Sequence, residues 1–208
     1  MIRPSAPTRR LASVAAGALL LAGCVARPVE VVSAPPRRDV VARPGRPGFV
    51  VGGRDVTTDA MAAEIARRTG FGLVVAGGTS LGQDAYARRV LEVAQGSLRF
   101  YAEIHGNDRA ECAGQIEIVT VGVDRELALR LRALAELIRD AHLRGNREIQ
   151  RLDVSIEPAE AARGAILTLP LRALQIDVPR CARRDWRETY TSILADFLAQ
   201  AVTLPLGR

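Results

Sequence analysis

The sequence predicts an α/β fold, a three-layer sandwich on a mainly parallel mixed sheet. Three observations support this prediction. Short apolar runs closed by glycine, such as GFVVGG and FGLVVAGG, have the composition of buried strands. Segments with apolar residues at helical spacing alternate with these runs. The chain has 208 residues, 48% of them hydrophobic, which is enough for one domain with a substantial core.

The predicted elements alternate along the body of the chain. The predicted strands are GFVVGG, FGLVVAGG, RFYAEIHG, QIEIVTVG, AILTL and ALQIDVP. The predicted helices are TTDAMAAEIARRTG, DAYARRVLEVAQG, DRELALRLRALAELIRDAHLRG and DWRETYTSILADFLAQAV. In the first helix, Thr57 or Thr58 suits the N-cap and Gly70 suits the C-cap. Ligands collect at the carboxyl ends of strands in such sheets, so a functional site is expected there.

Residues 1–23 have the features of a secretion signal. Three arginines precede the apolar run LASVAAGALLLAG, which is shorter than the about 20 residues of a membrane span. The run ends in LAGC, residues 21–24, which resembles the bacterial lipobox. This resemblance implies cleavage before Cys24, acylation of its thiol and stable anchoring in a lipid bilayer of the cell envelope. Val25 stands where an aspartate favours inner-membrane retention, so the periplasmic face of the outer membrane is preferred.

The segment after the signal differs in composition from the body. Residues 24–48 hold many prolines and arginines without a period, and this pattern predicts an extended tether. Residues 49–208, the predicted α/β domain, carry 21 arginines and 21 acidic residues, so the net charge of +6 comes from the N-terminal segments. A neutral body without clustered basic residues argues against nucleic-acid binding.

Two cysteines, Cys112 and Cys181, remain once Cys24 is acylated. Exported proteins meet an oxidising compartment, and each of the two residues lies shortly beyond a predicted strand. A disulfide between them is therefore predicted in preference to two free thiols, provided that those strands are neighbours. A cysteine-based zinc site is disfavoured because no C-x-x-C spacing occurs.

The segment GTSLG, residues 78–82, fits the G-x-S-x-G motif of serine hydrolases. That chemistry also needs a histidine near the C-terminus, and no histidine follows His142. Ser80 is therefore interpreted as a helix-capping residue in a glycine turn.

The segment RFYAEIHG places Glu103 and His105 on one face of a strand, because side chains alternate with a period of two. Imidazole and carboxylate groups are zinc ligands, but one of each is an incomplete set. On spacing alone, a hydrogen-bonded structural histidine is the preferred interpretation of His105.

The order of VVGGRDVTTDAMAAEIARRTG, FYAEIHGN, QIEIVTVG and LQIDVPR resembles the N-formylglutamate amidohydrolase family, which is related to the zinc carboxypeptidases. The similarity covers most of residues 49–200 and implies a zinc-hydrolase-like fold. His105 matches the second zinc-binding histidine of the family, and Asp177 matches its late acidic residue. Where the family has a PHG-like turn, this chain reads Val-Gly-Gly at 51–53, so the first histidine ligand is absent.

The resemblance implies a membrane-anchored, Zn²⁺-dependent amidohydrolase that cleaves an amide bond near a carboxylate, in an N-acyl amino acid or a cell-wall peptide. The missing histidine supports a second interpretation equally well. In that interpretation, the protein is a catalytically inactive relative that serves as a ligand-binding or envelope scaffold lipoprotein. The roles implied for single residues are zinc binding by His105 with Asp55 or Asp59, general base catalysis by Asp177, and binding of the substrate carboxylate by Arg109 or Arg180.

Overall fold

The structure, a computed structural model, describes residues 40–77, 81–107, 115–159 and 165–205. The chain divides into two units, Met1–Pro35 and Pro36–Arg208, and the described residues belong to the second. The strands are β1 (Val41–Arg43), β2 (Arg46–Gly53), β3 (Phe71–Val75), β4 (Phe100–Asn107), β5 (Gln115–Val121), β6 (Asp153–Pro158) and β7 (Arg172–Pro179). The helices are α1 (Asp59–Thr69), α2 (Gln83–Ala94), α3 (Arg125–His142), α4 (Arg180–Arg183) and α5 (Arg187–Ala201).

The seven strands form one mixed sheet in the order β1-β3-β2-β4-β7-β5-β6. The four central strands, β3, β2, β4 and β7, are parallel to one another. They end at one edge of the sheet, here named the carboxyl edge, and begin at the opposite amino edge. β1 and β5 run antiparallel to their central neighbours, and β6 runs parallel to β5. β5 and β6 therefore begin at the carboxyl edge.

Helices cover both faces of the sheet, which confirms the predicted α/β sandwich. α1, α3 and α5 pack on one face, named the α1 face, against a core that includes Val51, Ile104 and Ile176. α2 and a short 3₁₀ helix (Ala165–Thr168) pack on the other, named the α2 face, against Val50 and Tyr101. Neighbouring residues of β2 and β4 thus point to opposite cores, as strand alternation requires.

The ends of α1 lie where the sequence predicts them. Gly70 adopts φ 72° after the last turn, a left-handed conformation that glycine reaches without steric cost. Thr58 precedes the helix, but its hydroxyl donates to the carbonyls of Asp55 (3.0 Å) and Ile104 (2.9 Å) instead of capping it. This buried threonine therefore ties the start of α1 to the end of β4.

The structure differs from the sequence prediction in three segments. The first four residues of AILTL, predicted as a strand, form the whole of the 3₁₀ helix, because a short apolar run has no periodicity that separates a strand from a buried helical turn. Residues 153–158 form β6, which the sequence prediction omits. Residues 41–48, predicted as tether, form β1 and the start of β2. Among the described residues, no helix is both long and apolar enough to cross a bilayer.

Candidate functional site

A row of polar side chains crosses three neighbouring strands near the carboxyl edge. His105 on β4 is the register partner of Asp177 on β7, and Asp177 is the partner of Glu117 on β5. The residues that precede the first two, Ile104 and Ile176, belong to the core on the α1 face. His105, Asp177 and Glu117 therefore project from the α2 face, and with Glu103 they form what we name the carboxyl-edge site.

Glu103 and His105 form the centre of this site. The distance between Glu103 Oε1 and His105 Nε2 is 3.3 Å, and the two side chains are 5% and 31% exposed. Within the described residues, neither atom makes a well-aligned hydrogen bond. The Glu103 carboxylate beside the ring raises the pKa of His105, and the charge of Asp177 adds to this, while burial and Arg54 oppose it. A buried carboxylate and a partly exposed imidazole therefore lie side by side, where both can contact the same ligand.

Glu117 of the site and its neighbour Gln175 were not recognised from the sequence. Gln175 Nε2 donates to Asp177 Oδ2 at 3.3 Å, and Gln115 Nε2 donates to Glu117 Oε1 at 3.1 Å. The alternation in QIEIVTV indicates that Glu117 shares a face with Gln115. It does not indicate that β5 lies antiparallel beside β7, so the proximity of Glu117 to Asp177 could not be inferred.

Gly52 lies in the same part of the sheet and is the register partner of Glu103. A Cβ atom at this position would overlap with the hydroxyls of Tyr86 and Tyr101. These hydroxyls lie 3.1 Å apart, and Tyr86 also donates to the carbonyl of Val74 at 3.1 Å. Burial raises the pKa of both tyrosines, so both stay neutral. The tyrosine pair therefore fills the space that a longer residue at position 52 would need.

Asp55 and Asp59 lie around the start of α1. Asp55 Oδ1 accepts a hydrogen bond from Thr57 N at 2.9 Å, and Asp55 Oδ2 is 3.9 Å from Arg183 Nη1. A Cβ at Gly106 would overlap with Asp55 Oδ2, and Gly106 faces away from the side of β4 that carries His105. The carboxylate of Asp59 lies against Gly77. The geometry thus pairs His105 with Glu103 and Asp177, and zinc binding by Asp55 or Asp59 stays a prediction.

Arg183, which is 5% exposed, holds the carboxyl edge together. Its Nε donates to the carbonyl of Val178 at 3.0 Å, and its Nη2 donates to the carbonyl of Asn107 at 2.9 Å. Its Nη1 donates to Thr57 Oγ1. One guanidinium therefore joins the ends of β7 and β4 to the loop before α1.

The other predicted site residues have different locations. Arg180 is exposed at the start of α4, directly after β7, and Cys181 is buried next to it. Cys24, Ser80, Arg109 and Cys112 lie outside the described residues, so lipidation of Cys24, substrate binding by Arg109 and the disulfide between Cys112 and Cys181 stay predictions.

The donor groups do not fit a catalytic zinc ion by themselves. Such an ion takes three protein ligands and keeps one position open. Within the described residues, no group of three histidine, cysteine or acidic side chains is placed to hold a metal ion. Gly52, at the position of the absent histidine, offers no donor, and the tyrosine pair fills the adjacent space. No reaction step is therefore assigned to a metal.

No family model and no curated protein matches the chain. Among solved structures, it is similar to N-acetylmuramoyl-L-alanine amidase AmiC2 of Nostoc punctiforme, with 12% identity, a TM-score of 0.39 and coverage of 76% of this chain and 97% of that one. It is also similar to a protein of Shewanella denitrificans regarded as a carboxypeptidase A, with 8% identity, a TM-score of 0.44 and coverage of 75% and 57%.

A third similar structure is a metallo-carboxypeptidase from Burkholderia cenocepacia, with 8% identity, a TM-score of 0.41 and coverage of 76% of this chain and 56% of that one. The chain thus spans little more than half the length of both carboxypeptidase-type structures. Likeness at these values carries no inference about activity, and the resemblance to N-formylglutamate amidohydrolases stays a prediction from the sequence.

Proposed function

We propose that this protein is a lipid-anchored envelope protein that binds an N-acyl amino acid or a cell-wall peptide at the carboxyl-edge site, without zinc-dependent hydrolysis. One observation carries the proposal: the hydroxyls of Tyr86 and Tyr101 fill the space next to Gly52. In the family that the sequence resembles, a zinc-binding histidine stands at this position. A histidine side chain at position 52 has no room here, so this chain lacks one of the three zinc ligands that zinc-dependent hydrolysis requires.

The charged groups of the site suit a ligand with both an amide and a carboxylate. Glu103 and Asp177 can accept hydrogen bonds from an amide N–H. Arg54, whose charge acts on His105, and the exposed Arg180 can donate to a carboxylate as a fork of two hydrogen bonds. The acidic and basic groups at one edge of the sheet therefore support a ligand of this class.

Calorimetric titration of the full chain with N-acetylglutamate and with a cell-wall muropeptide tests this proposal. Elemental analysis of the same sample measures zinc per chain, and chromatography measures released glutamate. We expect saturable binding of at least one compound, zinc well below one ion per chain, and no hydrolysis. Failure of both compounds to bind contradicts the proposal.

Substitution of the two histidines locates the binding. His105→Ala removes the imidazole beside Glu103, and we expect it to weaken binding at least about tenfold, the effect of one charge-assisted hydrogen bond. His142→Ala is the matched control, because His142 is the only other histidine and contacts Asp196 at the end of α3. Equal effects of the two substitutions contradict a site at His105.

A second candidate function, amide hydrolysis, is favoured by one observation. Glu103 Oε1 and His105 Nε2 face each other without a well-aligned hydrogen bond, and both are atom types that bind zinc. In this case His105 and Glu103 would supply two of the three protein ligands that such an ion needs, and Asp177 would be the general base that the family resemblance implies. Stoichiometric zinc together with glutamate release, both lost in His105→Ala, would replace the binding proposal with this one.

A further inference from the structure

A pocket of about 240 Å³ lies at the amino edge of the sheet, opposite to the carboxyl-edge site. It is named the amino-edge pocket here. Its walls are formed by the first residues of β4 and β7 and by the chain that follows α5. Phe49, Phe100, Val202 and Leu204 supply apolar walls, and Arg99 and Arg172 supply cationic ones.

Positive charge is concentrated around one aromatic ring of this pocket. Arg46 Cζ lies 4.0 Å from the centroid of the Phe49 ring, and Arg99 Cζ lies 5.7 Å from it. Arg99 and Arg172 line the pocket, Arg46 contacts the ring of its lining residue Phe49, and none of the described lining residues is acidic. The pocket therefore has a net positive potential that favours an anion.

Arg172 is the deepest of these cations, with 3% of its surface exposed. Its Nη1 donates to the carbonyl of Ala201 at 2.7 Å and its Nη2 to the carbonyl of Leu204 at 3.1 Å. Its Nε has no hydrogen-bond partner among the described residues, and no carboxylate pairs with the group there. Burial lowers the pKa of Arg172, since a buried charge without a counter-ion is unfavourable.

The remainder of the pocket is apolar. The rings of Phe49, Phe71 and Phe100 form a cluster with centroids 5.5 to 6.5 Å apart. Leu171, which also lines the pocket, is 59% exposed. A ligand that neutralises the arginines would therefore place the rest of its structure against hydrocarbon.

We propose that the amino-edge pocket binds an amphiphilic anion, a carboxylate or phosphate attached to a hydrocarbon chain. The anionic group lies between Arg99 and Arg172, and the first part of the chain lies against Phe49, Phe100 and Leu204. Pockets for drug-sized ligands measure roughly 300–1,000 Å³, so this smaller volume takes the head of such a molecule and leaves its tail outside. In a cell envelope, the two sources of this chemistry are free fatty acids and lipid phosphates.

Calorimetric titration of the full chain with octanoate, octyl phosphate, octanol and inorganic phosphate tests the proposal. We expect octanoate or octyl phosphate to bind at least about tenfold more tightly than octanol and inorganic phosphate, the gain from one or more charge-assisted hydrogen bonds. Tighter binding of octanoate identifies a fatty acid as the source, and tighter binding of octyl phosphate identifies a lipid phosphate. The proposal is overturned if octanol binds as tightly as octanoate. It is also overturned if inorganic phosphate binds as tightly as octyl phosphate, because the pocket then holds an adventitious ion only.

Charge substitutions locate the anion. Arg99 is exposed, so Arg99→Glu leaves the core intact, and we expect it to weaken octanoate binding at least about tenfold. Arg144→Glu makes the same change on an exposed residue after α3, near the carboxyl edge, and is expected to have no effect. Equal affinities of the two variants overturn the proposal. Arg172→Met is expected to lower affinity further, with circular dichroism to verify its fold.

Two more forms of the protein test whether octanoate binding depends on the carboxyl-edge site and whether the C-terminal carboxylate occupies the amino-edge pocket. His105→Ala is expected to leave octanoate binding unchanged, so failure of the carboxyl-edge proposal is distinguishable from failure of this one. A full chain whose C-terminal carboxylate is converted to an amide keeps every residue and lacks that negative charge. If octanoate binds to this amidated chain but not to the unmodified chain, the C-terminal carboxylate is the anion in the pocket and the proposal is overturned.

Discussion

Gly52 determines which side chains the carboxyl-edge site can hold. Gly52→Ala is expected to destabilise the protein by about 1–3 kcal/mol, because its Cβ would overlap with the hydroxyls of Tyr86 and Tyr101 in a packed core. Urea unfolding monitored by circular dichroism measures the change. Gly82→Ala is the control, since no heavy atom lies within 4 Å of the Cβ built at Gly82. Equal losses of stability in the two variants contradict the overlap at position 52.

His105 gives a pH-dependent prediction at the same scale. The Glu103 carboxylate raises its pKa in the folded protein, so the folded state binds the proton more tightly than the unfolded state. The resulting stabilisation is complete below the unfolded pKa of about 6.5 and is lost as pH rises through the raised folded pKa. Glu103→Gln is expected to lower the pKa of His105 and to reduce this dependence.

NMR titration of the histidine ring protons measures this effect directly. The protein has two histidines, and His142 lies on α3, away from Glu103, so its ring signal is the internal reference in the same spectrum. An unchanged pKa of His105 in Glu103→Gln would show that the carboxylate does not act on the ring.

The sequence alone predicts some residues of the carboxyl-edge site. Glu103 and His105 could be placed on one face because they are two residues apart on one strand, and Asp177 was selected because it matches the late acidic residue of the family that the sequence resembles. From the sequence, position 52 was noted only because it lacks the histidine that the similar family has there. That Tyr86 of α2 fills the adjacent space depends on how α2 packs on the sheet, and no local pattern encodes that packing.

At the scale of elements, Arg183 fixes the ends of β4 and β7. Arg183→Met is expected to destabilise the protein by about 2–4 kcal/mol, because the buried carbonyl of Val178 and the partly buried carbonyl of Asn107 lose a charged donor. Hydrogen exchange of the amides at the ends of β4 and β7 is expected to accelerate, since these ends are no longer held together.

Arg184→Met is the matched control for this substitution. Arg184 is the next residue along the chain and is exposed, so its replacement removes the same charge and leaves the carbonyls of Val178 and Asn107 bonded. Thermal unfolding of both variants measures the difference, and a similar change in both would contradict the assigned role of Arg183.

Helices and strands were predicted correctly where the local sequence carries a clear apolar pattern and recognisable ends. α1 and α3 have apolar stripes and recognisable ends, and the sequence predicts both. β6 is an edge strand with one buried residue, Val154, so its sequence lacks the apolar run that marks the central strands. AILTL has that apolar run but forms a helical turn, because contacts with α2 determine its conformation.

At the scale of the whole molecule, the membrane attachment that the sequence predicts depends on Cys24, which lies outside the described residues. Cys24→Ser is expected to abolish incorporation of labelled fatty acid and to move the protein from the membrane fraction to the soluble fraction, because two acyl chains give stable anchoring and none remain. Cell fractionation and intact-mass spectrometry measure both effects. Membrane association that persists without label in Cys24→Ser would contradict the predicted lipoprotein.

The two edge strands of the sheet, β1 and β6, have a consequence for contacts between copies of the protein at high concentration. β1 has three residues and is followed directly by Pro44, and β6 ends at Pro158 after the exposed Glu157. Short strands, prolines and charges at such edges are poor templates for backbone pairing with another molecule. Backbone pairing between the sheets of neighbouring copies is therefore disfavoured, even at high local density.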